Sequence, residues 1–203
     1  MRLTTRSTAV LALHWQVNVV RAEGFFGGML AEPVAASGVV PRARGFHTAA
    51  RAGGVRLVFT RFTVPTDGGA LVRNTGFMHA VADAADAFRP GAPGAAVVDD
   101  VGFDPGVDLV SDNQRLSGLA ASDLPERLTG WGIDTVLVTG VATNLTVEQT
   151  ARAATDLGFT AYVVGDCVTA ADPAAHEASL ASLALTTAGV VSARQALEAL
   201  GAP

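Results

Sequence analysis

The chain has 203 residues, 49% hydrophobic and 16% charged, which predicts one globular domain over residues 1–203 and excludes a disordered chain. Its formal net charge of −5 argues against nucleic acid as a partner, and no stretch reaches the roughly 20 apolar residues of a membrane span. All 14 basic side chains are arginine, and the one cysteine, Cys167, cannot make an internal disulfide, which fits a reducing cytoplasm.

The N-terminal "MRLTTRSTAVLALHW" is too short in its apolar part for a signal peptide and reads as a strand. "TAVLALHW" (8–15) is a continuous apolar run, as expected of a strand buried on both faces. "GFFGGM" (24–29) reads as a loop, "ARGFHTAARAG" (43–53) as a helix and "VRLVFTRF" (55–62) as a strand. A second loop, "TVPTDGGALVRNTG" (63–76), leads into a helix at 77–88 and a strand at 107–111. Further helices are predicted over 122–130, 144–157 and 173–187, alternating with strands at 134–140, 160–166 and 189–192. Asp172-Pro173 has the pattern of an N-cap followed by proline at the first helical position. Ser192 and Gln195 have capping-box spacing before a last helix that ends near Gly201. The alternation predicts an α/β fold built on a doubly wound parallel sheet with helices on both faces.

In such a sheet, ligands bind outside the carboxyl ends of the strands. His14, Trp15 and Gln16 end the first strand there. "VTGVATNLTVEQTA" (138–151) ends the fourth and restarts as a helix, with Asn144 the candidate N-cap and Thr146 in the first turn. Backbone N–H groups at Val141 and Ala142, with the helix dipole, suit an oxyanion or carboxylate. His14 reads either as a proton carrier or as a satisfied core imidazole. Thr146 reads either as a chemical group or as a packing residue. Trp15, Phe25, Phe26, Phe62 and Phe77 are candidates for an aromatic pocket. Arg61, following the second strand, is a better candidate than Arg73 or Arg115 for meeting an anionic substrate. His47 and His79 lack ligand-spaced partners, His176 suits a capping role and Cys167 reads as a small buried hydrophobe. No zinc spacing and no glycine-rich phosphate loop occurs, so neither metal nor cofactor is expected.

Taken in order, five stretches resemble the isochorismatase-like hydrolase family, which includes nicotinamidases and N-carbamoyl amidohydrolases. They are "STAVLALHWQ", "AARAGGVRLVFTR", "RPGAPGAAVVDDV", "DNQRLSGL" and "VTGVATNLTVEQTARAATDLGF". The resemblance implies a Rossmann-like fold, homodimers or larger homo-oligomers, a small-molecule substrate and a cis peptide between Val141 and Ala142. It also matches the family's catalytic Asp, Lys and Cys to His14, Asn113 and Thr146. All three differ, and the chain contains no lysine with which a shifted alignment could restore the trio. A cysteine-less branch of the family, which cleaves a vinyl ether, still uses the aspartate that is absent here.

Three readings of function follow. The first is a small-molecule enzyme with non-cysteine chemistry, in which His14 transfers protons and Asn113 and Thr146 hydrogen-bond around a carbonyl or ether oxygen. The second is a ligand-binding or scaffold protein without catalysis. The third makes Thr146 a nucleophile activated by His14, which requires the imidazole within about 3 Å of the hydroxyl.

Overall fold

The computed structural model describes residues 2–202. Strand β1 (Thr8–Leu13) is buried along its whole length, with Ala9, Leu11 and Leu13 in one core and Val10 and Ala12 in another. That two-sided burial is why the segment is uniformly apolar rather than alternating. With β2 (Arg56–Phe62), β3 (Leu109–Asn113), β4 (Thr135–Val141), β5 (Thr160–Thr169) and β6 (Gly189–Val191) it forms a six-stranded sheet in the order β3-β2-β1-β4-β5-β6. Every pairing is parallel. The chain moves outward from β1 to β2 on one side and outward to β4 on the other. The carboxyl end of β1 is therefore the topological switch point.

Eight α-helices are described: α1 (Val17–Val20), α2 (Gly27–Ser37), α3 (Val39–Ala52), α4 (Gly76–Asp83), α5 (Leu124–Gly130), α6 (Glu148–Asp156), α7 (Pro173–Thr186) and α8 (Ala193–Leu200). On one face of the sheet Phe46 and Ala50 of α3 and Ala196 of α8 pack with Val10, Leu57 and Phe59. On the other, Leu124 and Leu128 of α5, Ala151 of α6 and Leu183 of α7 pack with Leu11, Val136 and Val138. Each Leu or Phe so buried contributes about 1.5–3 kcal/mol. The helix ends follow their local chemistry. Asp172 accepts a hydrogen bond from the Ala174 amide at 2.8 Å, Ser192 and Gln195 close both bonds of the capping box, and Gly201 takes the left-handed conformation.

Three segments differ from the sequence reading. The stretch 24–29 is not wholly a loop, because α2 begins at Gly27. Two glycines and Pro33 disguise this helix, since all are poor helix formers. Gly27 is required there by packing, because a Cβ would lie 2.3 Å from the Ala22 carbonyl oxygen. Asn144 does not cap the helix after β4. Ala142 holds the N-cap position, and Thr143–Val147 form a single wide π turn ahead of α6. β1 stops at Leu13, because His14 swings into the left-handed region at φ 52°, an uncommon conformation for a residue other than glycine.

Gly140 marks the closest approach beneath the switch point. It pairs with Leu13 at φ 142°, and a Cβ there would lie 2.4 Å from the Leu13 carbonyl oxygen. Both the backbone conformation and the contact exclude a larger residue. Gly140→Ala is therefore expected to destabilise the fold by about 3 kcal/mol, measured by urea unfolding. An unchanged midpoint would show that β1 and β4 are free to separate at this point.

Candidate active site

Strand register assembles the site. Leu13 pairs with Thr60 of β2 and Gly140 of β4, and Phe62 pairs with Asn113 of β3. The carboxyl ends of four adjacent strands thereby place His14, Phe62, Asn113 and Val141 along one edge. The His14 amide donates to the Thr60 carbonyl at 3.1 Å, which anchors the residue as the chain turns away from the sheet.

The His14 ring is buried, and its Nε2 lies 3.1 Å from Oδ1 of Asn113. Asn113 determines which partner donates. Its Nδ2 donates to the carbonyls of Arg115 at 2.5 Å and Ser117 at 3.3 Å, so the amide cannot turn over without setting oxygen against oxygen. Oδ1 must face the imidazole, and Nε2 must carry the proton. The lone pair of the neutral ring is then at Nδ1, which makes no hydrogen bond among the described residues. Burial lowers the His14 pKa to about 4 from the usual 6.5, against the weaker opposing effect of the Asn113 hydrogen bond. Desolvation thus holds His14 in its uncharged form at neutral pH.

His14 lines a small cavity of about 40 Å³ together with Phe26, Phe77, Val141, Ala142 and Thr146. The Val141–Ala142 peptide is cis. Phe26 and Phe77 stack with centroids 5.3 Å apart and planes within 3°. The Thr146 hydroxyl is buried and has no hydrogen-bond partner among the described residues. A buried hydroxyl without a partner costs about 1–3 kcal/mol, so it is a place where a ligand oxygen would gain. It also means that no His14–Thr146 hydrogen bond exists in this conformation, as a nucleophile and base pair would need.

Other candidates lie elsewhere. Trp15 is fully buried under α3, donating to Thr139 Oγ1 at 3.4 Å and meeting His47 edge to face. Gln16 is consumed by the backbone, accepting from the Phe62 amide and donating to the Phe62 and Ala95 carbonyls. Phe62 packs edge-on against the His14 ring at 6.0 Å, outside the cavity wall. Phe25 supports Phe26 from a half-exposed position. Arg61 forms a two-point ion pair with Asp112 at 2.7 and 2.9 Å and does not face the cavity. The remaining wall comes from Val19, Met29, Leu30, Leu116 and Leu145, which sequence reasoning missed. These are apolar residues on helices and turns, with no signal separating them from core. His47 is a satisfied core imidazole between the Val101 carbonyl and Thr139 Oγ1, and His176 bonds Thr143 Oγ1 at 2.9 Å. Burial raises the pKa of the Cys167 thiol far above its usual value, so it is inert. No group of three or more metal-ligating side chains occurs among the described residues, and none of the described helices is long and apolar enough to cross a membrane.

Comparison with known proteins shows the family and the fold. The isochorismatase domain family model matches residues 8–195. Maleamate amidohydrolase of Pseudomonas putida is 31% identical over 175 residues, which cover 83% of this chain and 78% of the relative. An isochorismatase family protein of Escherichia coli O157:H7 is 33% identical over 93 residues, 46% of this chain and 50% of that one. The chain thus spans about half the length of several curated relatives it matches. A cysteine hydrolase from Pseudomonas syringae pv. phaseolicola superposes with a TM-score of 0.86 at 19% identity, covering 99% of this chain and 95% of the other. At that identity the likeness shows the fold.

Burial of two imidazoles gives the protein a pH signature. Like His14, His47 is lowered by burial to about 4. Above pH 6.5 both are neutral folded or unfolded, and stability does not depend on them. As pH falls from 6.5 toward 4 the unfolded chain takes up protons that the folded chain refuses. Each histidine then costs about 1.4 kcal/mol of stability per pH unit. Urea unfolding is expected to show stability falling steeply from pH 6.5 to 4.5, with His14→Gln removing about half of that slope. Imidazole NMR midpoints near 6.5 for both residues would contradict this account.

Proposed function

The chain belongs to the isochorismatase family, and on that premise we propose that it is a small-molecule enzyme whose proton transfer runs through neutral His14 rather than a thiolate. The observation that carries this reading is the Asn113 clamp, which fixes the proton on Nε2 and leaves the Nδ1 lone pair of a cavity-lining imidazole unused. In this reading His14, Asn113 and Thr146 stand where the family has its Asp, Lys and Cys, and the oxygen-binding frame at Val141 and Ala142 is retained.

The family includes an amidohydrolase among the relatives of this chain, so a carbonyl compound, first of all an amide, is the substrate class to try. Nδ1 takes a proton from water as the water oxygen adds to the carbonyl carbon. The Thr146 hydroxyl donates to the oxygen that gains charge. The proton then passes to the leaving nitrogen as the C–N bond breaks, giving acid and amine. With a pKa of about 4, His14 is a weak base but is fully in its basic form at neutral pH. An acid role would confine activity to strongly acidic solution. A second reading, ligand binding without turnover, is favoured by one observation. His14 is the sole titratable side chain lining the cavity, and its basicity is low.

A panel of small amides and enol ethers, assayed for both binding and turnover, separates these readings. His14→Ala is expected to lower kcat by about 100-fold or more, and the wild-type profile to rise through pH 4 to a neutral plateau. Thr146→Val is expected to lower kcat/KM about tenfold while leaving stability unchanged or raising it by about 1 kcal/mol, since an unpaired hydroxyl is removed. Binding with no wild-type turnover would establish the second reading, and a covalent adduct on Thr146 would replace both.

A further inference from the structure

Arg115 lies in the turn that follows β3, immediately beside the cavity just described. Its carbonyl oxygen accepts from Asn113, which fixes its backbone, while the guanidinium of this partly buried residue makes no hydrogen bond or ion pair among the described residues. It lines a second cavity of about 280 Å³ together with Asn74, Thr75, Ser117 and Gln149, and no carboxylate faces this space. The sequence favoured Arg61 for meeting an anion, but Arg61 is engaged by Asp112. Arg115 has no such partner.

The two cavities share one wall, the Leu116 side chain. Neighbouring residues on the same elements divide between them. Phe77 lines the first and Met78 the second, while Thr146 lines the first and Gln149, three residues on, the second. The first space, about 40 Å³, accepts a single functional group but not a whole metabolite. Any larger molecule reacting at His14 must extend beyond it, and the adjacent space is rich in donors. Arg115 offers a planar fork suited to two-point contact with a carboxylate. The Thr75 hydroxyl accepts from the Met78 amide and the Ser117 hydroxyl from the Leu119 amide, so both protons remain free to donate. One guanidinium with neutral amides and hydroxyls balances a single negative charge, which favours a carboxylate over a doubly charged phosphate.

We infer that the Arg115 cavity receives the carboxylate of the same small molecule whose reacting group enters the His14 cavity, with Leu116 as the partition between them. The inference rests on the proposed enzymatic reading for its second half and on geometry alone for its first. Arg115 thus selects substrate and takes no part in bond breaking.

The test uses the wild-type chain and a matched pair of probes, succinamate and its uncharged counterpart succinamide, followed by NMR of the Asn74 and Gln149 side-chain amides. Succinamate is expected to shift both signals and to bind at least about tenfold more tightly than succinamide. Arg115→Gln should reduce succinamate to the succinamide level, and Arg115→Lys should restore part of the difference. Equal binding of the two probes, absence of succinamate binding, or an Arg115→Gln protein that is folded and binds succinamate normally would each overturn the proposal. If Arg115→Gln does not fold, the probe pair on wild type and Arg115→Lys decides the matter. The two readings fail separately. Charge-selective binding without turnover retains the anion site and rejects the enzyme, whereas turnover indifferent to the carboxylate does the reverse.

Discussion

Asn113 is held on both sides of its amide, and much of the site chemistry follows from that restraint. Two carbonyls of the turn after β3 fix its nitrogen, which leaves its oxygen directed at His14. An asparagine with a free choice of orientation would leave the imidazole tautomer undetermined. Here a side chain two strands away dictates which ring nitrogen is protonated, because β2 brings the ends of β1 and β3 into register on either side of it. The restraint is structural in origin and chemical in effect.

Desolvation then sets the energetic terms. The walls around His14 are aromatic and aliphatic, and no carboxylate lies among them to stabilise an imidazolium. A histidine opposite an aspartate would hold its proton at neutral pH, but one opposite an amide and buried among apolar walls gives it up. The same burial strengthens a hydrogen bond that a ligand makes to Thr146, because the local dielectric is low. The low basicity of His14 and the unpaired hydroxyl of Thr146 thus share one cause, burial among apolar walls.

The sheet was legible in the sequence because burial on both faces leaves continuous apolar runs, and the parallel order follows from strands alternating with helices. α2 was not legible, because Gly27, which the close approach to Ala22 requires, is a residue that argues against a helix, as are Gly28 and Pro33. At the site, His14, Asn113 and Thr146 could be found by matching motifs, and the structure places His14 and Thr146 on one cavity and Asn113 behind it. The roles of Trp15 and Gln16 could not be read, since a strand end and the turn just after it look alike in a string of letters. The left-handed turn at His14 sends Trp15 into the core and Gln16 into backbone hydrogen bonds. Arg61 and Arg115 were equally ambiguous. An ion pair between neighbouring strands, formed by Arg61 with Asp112, has no local sequence signature.

That ion pair bears on the division between the two cavities. Asp112 and Asn113 are successive residues of β3 and therefore face opposite sides of the sheet. Asp112 can neutralise Arg61 on one side while Asn113 addresses His14 on the other, and neither charge reaches the cavity. The strand ends there, and the following turn places Arg115 beyond both, with its backbone tied to Asn113 and its guanidinium unpaired among the described residues. One short segment, residues 112–116, thus supplies an ion pair, a tautomer clamp, a free cation and the apolar partition between two spaces. A substitution in this segment alters several of these at once, whereas one in the apolar wall at Val19 or Leu30 alters cavity volume and core packing.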